Sequence, residues 1–107
     1  MPYYMLETAY KESAARALIA KPQDRIAAVE KAAKSLGGRL VSLYFAFGEY
    51  DVVTIVELPD NEAAAAFALS AGAAGALSKY RTTVLIEPGE AVSAMKKAKK
   101  VAYAAPK

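Results

Sequence analysis

Residues 39–58 read RLVSLYFAFGEYDVVTIVEL. Two runs in this stretch, 39–47 and 50–58, are rich in β-branched and aromatic residues, and Gly48–Glu49 separates them. Strand-like runs so closely spaced predict a β-hairpin. With Gly48–Glu49 as a two-residue loop, Phe47 opposes Tyr50, Phe45 opposes Val52, Leu43 opposes Thr54 and Val41 opposes Val56. Side chains alternate with a period of two along a strand. That register puts Val41, Leu43, Phe45, Val52 and Val56 on one face. Leu40, Ser42, Tyr44, Ala46, Asp51, Val53, Ile55 and Glu57 take the other.

Outward from the hairpin, each neighbouring segment has its own start and stop. Residues 1–10, MPYYMLETAY, have the aromatic, alternating character of a first strand. Residues 11–20 favour helix until Pro22 interrupts, and Lys21–Asp24 is expected to start a fresh helix. That helix is expected to run to about Leu36, burying Ile26, Val29, Ala33 and Leu36 at helical spacing and leaving Glu30 and Lys34 as an exposed pair. Gly37–Gly38 ends it. After the hairpin, Pro59 stops the strand and Asp60 caps a helix from Asn61 to about Ala71, closed by Gly72 and Gly75. Residues 79–87, KYRTTVLIE, make a fourth strand, and Pro88–Gly89–Glu90 opens a last helix that carries lysines as far as Pro106. The order β-α-β-β-α-β is the ferredoxin-like motif: an antiparallel sheet of order 4-1-3-2, both crossover helices on one face, plus a terminal helix.

Composition narrows the chemistry. The 107 residues are 55% hydrophobic, but 25 are alanine. The larger apolar side chains suffice for one sheet covered on one side. The expected organisation is a single domain over residues 1–95 and a basic helical tail over 96–107. Without cysteine there is no disulfide, thiolate nucleophile or Cys-ligated cluster, and without histidine no imidazole acid–base chemistry or Ser–His–Asp triad. No calcium-type acidic loop occurs either, so neither a metal nor a cofactor is expected. The net charge of +3 comes from Lys96, Lys97, Lys99, Lys100 and Lys107; without these five the remainder carries −2. The tail therefore reads as a solvated helix end rather than a nucleic-acid site. An RNA-recognition module of the same strand order needs aromatics on its central strands, and Asp51–Leu58 has none. No leader is visible at the start. The longest uncharged stretch, 63–78, falls short of the ~20 apolar residues of a membrane span, so a soluble, cytoplasmic protein is expected.

Two helices cover one face of such a sheet. The other carries Leu40, Val53, Ile55 and Leu85, too apolar to stay wet, interleaved with Tyr44, Asp51, Glu57, Arg81 and Glu7. A second copy packed sheet to sheet is the simplest cover. Charges there must be paired, hydrated or engaged with a polar ligand.

Gly48–Glu49–Tyr50–Asp51 at the head of the third strand, the Glu57–Leu58–Pro59–Asp60 step into an alanine-rich helix, and Arg81–Thr82–Thr83 resemble the GYD domain family over roughly residues 3–90. The resemblance implies a ferredoxin-like subunit of the dimeric α/β-barrel superfamily, in which two sheets face each other around a cavity. Relatives in that superfamily include cofactor-free monooxygenases, lactone isomerases, haem enzymes and stress proteins. It also makes Gly48, Tyr50 and Asp51 the positions to watch.

Each candidate has two readings. Gly48 supplies a positive φ in the turn or a ligand contact; Tyr50 packs over the hairpin end or binds a ligand. Asp51 caps backbone N–H groups or acts as a base. Glu57 and Glu7 are paired acid–base carboxylates, or salt-bridge partners of Arg39 and Arg81. Tyr44 donates a hydrogen bond or lies in an interface. Three function classes follow: a homo-oligomer binding a small, aromatic or acidic molecule through Tyr44, Tyr50, Asp51, Glu57 and Arg81; a cofactor-free oxygenase or isomerase with Asp51 or Glu57 as base and Tyr44 as donor; and an assembly protein without a ligand.

Overall fold

A computed structural model describes residues 1–107. Four strands, β1 (Tyr3–Tyr10), β2 (Arg39–Phe45), β3 (Val52–Glu57) and β4 (Leu77–Leu85), form one antiparallel sheet of order β2-β3-β1-β4. The helices are α1 (Glu12–Ala20), α2 (Ile26–Ser35), α3 (Asn61–Ala73) and α4 (Pro88–Ala98). This is the expected ferredoxin-like order. Local chemistry sets the boundaries. Asp24 Oδ1 accepts the Ile26 N–H at 3.1 Å, an Asx-type turn that delays α2 to Ile26 rather than Pro22. Ile26 opens that helix and stays 45% exposed, not buried as expected. At its other end, Gly37 has φ +81°, and Gly38 and Gly37 donate to the carbonyls of Ala33 and Lys34. These are the two bonds of a Schellman cap. Asp60 Oδ1 caps α3 through the Ala63 N–H at 2.9 Å. α3 runs through Gly72, and Gly75, with φ +81°, follows its end.

The core lies between the sheet and α2/α3, where Tyr4, Leu6, Val56 and Leu58 meet Ala33 and Ala64. These positions follow from alternation along β1 and β3. Only nine residues are buried, so the core is thin.

Three hairpin expectations change. Phe45 opposes Val52 and Leu43 opposes Thr54 as anticipated, but a bulge between Leu40 and Ser42 makes Leu40, not Val41, the partner of Val56. One extra residue reverses the parity beyond it. Leu40 therefore packs against the core instead of lying on the open face, and Val41 is 42% exposed. The connection is also longer than two residues. The Ala46 N–H donates to the Asp51 carbonyl at 2.8 Å, closing a loop over Phe47–Tyr50 in which Phe47 and Tyr50 are not strand partners. Gly48 does not take a positive φ in that wider loop.

α4 stops at Ala98, not Pro106. Lys96, Lys99 and Lys100 would stack like charges at i,i+3 and i,i+4 on a continued helix. α4 has no buried residue and leaves Val92 and Met95 exposed. The chain measures 57 × 35 × 22 Å, with a radius of gyration of 17.1 Å. A compact chain of this length has about 13 Å.

Candidate functional site

Strand pairing assigns the open face. Met5 and Ile55 are partners at its centre, with Val53 beside Glu7 and Tyr44, and Leu85 beside Tyr3. Among these apolar groups lie two ion pairs. Arg39 Nε donates to Glu57 Oε1 at 2.8 Å, and Arg81 donates to Glu7 Oε1 through Nη2 at 2.7 Å and Nε at 3.1 Å. The carboxylates are sunk into the sheet, 17% and 15% exposed, beneath arginines that are more than half exposed. The hydrogen bond to its carboxylate, then that carboxylate's charge, raises each guanidinium's pKa. Glu7 opposes Val53 and Glu57 opposes Tyr3, so the two carboxylates stand four positions apart along the strands, about 13 Å. That separation removes the paired acid–base reading and leaves the salt-bridge reading.

Tyr50 and Arg81 come together at the hairpin end. The Tyr50 ring lies beneath two cations, Lys79 Nζ at 4.9 Å and the Arg81 guanidinium at 5.3 Å from its centroid, and Lys79 also bonds Glu49 at 3.2 Å. Asp51 turns the other way. Its Oδ2 accepts the Tyr10 N–H at 2.8 Å, and its own N–H donates to the Thr8 carbonyl at 2.8 Å. Asp51 thus ties the hairpin to the end of β1 rather than capping its own turn. Tyr44 stands apart on β2, 69% exposed, and Gly48 has open space where a side chain would be. The structure therefore joins Tyr50 with Arg81 and Glu7, places Glu57 with Arg39 elsewhere on the sheet, and leaves Tyr44 outside both clusters.

A cavity of about 170 Å³ lies on the opposite side of the sheet, under α2 and α3. Thr8, Thr54 and Thr82 line it from the strands, and Ala68 and Ala71 from α3. Tyr10 and Arg25 complete one wall. Burial raises the Tyr10 phenol pKa; the Arg25 charge opposes that shift and the Asp51 charge adds to it. Sequence reasoning offered none of these seven lining residues as a site candidate. The available signal was the alanine run of residues 63–76, which puts short side chains opposite a sheet and leaves space. No cluster of acidic side chains suited to a metal ion is present. No helix is long and apolar enough to cross a membrane.

Among solved structures, the chain is similar to MtbAldR at 20% identity and TM-score 0.55, covering 80% of this chain and 52% of that one. It spans about half of the MtbAldR chain. TTHA0845 from Thermus thermophilus is similar at 17% identity and TM-score 0.53, with 81% of this chain and 95% of that one covered. FFRP-DM1 follows at 15%, TM-score 0.50, with 80% and 100% covered. At these identities the likeness concerns the fold. No curated protein sequence matches. The family model for the GYD domain matches residues 4–95, from β1 into α4, and the chain belongs to the GYD domain family.

Proposed function

We propose that this protein is a self-associating, small-molecule-binding domain whose open sheet face is buried against a second copy. The observation that carries the reading is the stripe of Met5, Val53, Ile55 and Leu85 on a face that no helix covers. The flanking charges favour such burial, because Arg39–Glu57 and Arg81–Glu7 are already neutralised within the protomer. An unpaired ion would cost several kcal/mol to bury. Total exposed area points the same way. The single chain exposes 7622 Å². A folded monomer of this mass exposes about 5,700 Å². The excess is larger than the ~800 Å² per partner that a standard dimer interface covers. The unpartnered apolar stripe of α4 supports the same conclusion, since a free helix of that length is marginal in water.

The ion pairs also bear on where a ligand goes. The charged groups Glu7, Arg39, Glu57 and Arg81 on the open face have partners already, so no charge there calls for a ligand between the sheets, whereas the helix side retains space. A base is harder to assign. Asp51 holds the Tyr10 N–H and Glu57 holds Arg39, so neither carboxylate is free in a dry pocket, as proton abstraction requires. Binding is therefore favoured over the oxygenase or isomerase reading.

Light scattering on a sizing column at micromolar concentration tests the proposal. The expected mass is twice the 11.3 kDa of one chain. Val53→Glu with Ile55→Glu should return the monomer with its circular dichroism unchanged. A wild-type monomer at that concentration overturns the reading.

A further inference from the structure

We infer that the cavity beneath α2 and α3 is a binding site for a single-ring aromatic anion, its ring among the alanines of α3 and its charged group toward Arg25. The inference deepens the ligand-binding half of the proposal above and does not depend on self-association, because one chain supplies every wall.

Size comes first. The cavity holds about 170 Å³. An apolar cavity of about 150 Å³ admits benzene. The space arises from the helix sequence, since Ala68 and Ala71 stand where a core-facing helix ordinarily places larger residues. At the end of the helix, Gly72 lies so close to Tyr80 that a Cβ would collide with the phenol, which fixes that ring as a side wall.

Polarity sets the ligand class. Thr54, 5% exposed, lines the cavity from β3. Thr8 and Thr82, one strand position opposite Val52 and Leu6, line the same space. Arg25 is the cavity's cation that no carboxylate holds; its Nη1–H donates to the neutral Gln23 Oε1 at 3.2 Å. The other arginine of the lining, Arg81, is engaged by Glu7 on the far face. An apolar hollow lined on its sheet side by three threonines, with a guanidinium lacking a counter-ion at one wall, suits a ring bearing one carboxylate.

Benzoate and toluene serve as probes, followed by amide NMR shifts on the full-length protein. Benzoate is expected to shift resonances of β1, β3 and α3 around the cavity, with toluene binding more weakly. Arg25→Gln should lower benzoate affinity at least 5-fold and leave toluene unchanged. Ala71→Leu should abolish binding of both while raising Tm, because it fills the space with apolar atoms; Ala68→Leu serves if that variant does not fold. Benzoate binding that survives both leucine variants, or shifts confined to the open face, overturns the inference. So does no binding of either probe at millimolar concentration. A monomer that still binds benzoate in the cavity rejects self-association alone, and a dimer that binds neither probe rejects this site alone.

Discussion

The Arg81 guanidinium lies 5.3 Å from the centroid of the Tyr50 ring while its Nη2–H donates to Glu7 Oε1 at 2.7 Å. The family's tyrosine is thus attached, through one arginine, to the ion pair on the open face. Its ring is the contacting part, since no hydrogen bond involves its hydroxyl. Tyr50→Phe should therefore keep the wild-type Tm within a degree or so, whereas Tyr50→Ala should lower it by roughly 3–6 °C, the scale of one lost cation–π clasp. A phenylalanine variant as unstable as the alanine one would show that the hydroxyl is what matters.

Asp51 offers a sharper contrast between structural and chemical roles. Its carboxylate accepts the Tyr10 N–H where β1 ends. Asp51→Ala orphans that donor and should cost about 1–3 kcal/mol in urea unfolding. Asp51→Asn retains an acceptor oxygen and should recover at least half of the loss. Equal destabilisation by both variants would mean that charge, not hydrogen bonding, ties the hairpin to β1.

The extent to which the fold is legible in the sequence follows from where the physics is local. Asp60, Gly37–Gly38 and Pro88 act on neighbours within five residues, and the helix ends they set (the start of α3, the end of α2 and the start of α4) lie as expected. The bulge at Val41 is not local. It depends on how Leu40 fits the core across two strands, and nothing in RLVSLYF marks it. Glu7 and Arg81 are direct strand partners, whereas Glu57 meets Arg39 only through the bulge, since the two-residue-loop register would set Glu57 opposite Leu40. The cavity was not legible, because it results from what Ala68 and Ala71 leave unfilled, and small residues also signal close packing.

Two glycines separate signature from necessity. At Gly48 a Cβ would meet nothing within 4 Å, and φ is not positive. Gly48→Ala should be neutral or stabilising by up to about 1 kcal/mol, through the restricted unfolded chain. At Gly38 a Cβ would collide with the Glu57 carbonyl oxygen and lie 2.7 Å from Leu58 Cδ2. Gly38→Ala should cost roughly 2–3 kcal/mol, since backbone has to move to admit it. Chemical denaturation of the two variants side by side decides; a destabilised Gly48→Ala would give that glycine a role the free space does not predict.

Self-association should also appear in thermal unfolding. When folding is coupled to dimerisation, a tenfold rise in concentration stabilises the dimer by about 1.4 kcal/mol. Tm of the wild type should climb by a few degrees between 5 and 50 µM (~tenfold). The Val53→Glu, Ile55→Glu variant should lose that dependence. A wild-type Tm that ignores concentration, with the protein reversibly unfolding, would contradict a dimer held by the open face.

Tyr4 predicts the alkaline limit of stability. It is 1% exposed, and its hydroxyl donates to Asn61 Oδ1 at 2.7 Å. Burial first, and the Asp60 charge second, raise its pKa above the ordinary phenol value. Below pH ~10 the phenol is protonated in folded and unfolded chains alike, and its contribution is fully present. Above that, the unfolded chain releases the proton while the folded one retains it, so stability falls as pH rises toward the folded pKa. Tyr10 is shifted the same way, again chiefly by burial. Tyr4→Phe should therefore cost about 1 kcal/mol at neutral pH, for the lost hydrogen bond, and flatten the alkaline decline in part, leaving the share due to Tyr10. Urea midpoints between pH ~8 and ~11.5 for both proteins provide the comparison. Parallel declines would show that the buried phenol of Tyr4 does not set the limit, and that the folded chain yields to alkali elsewhere.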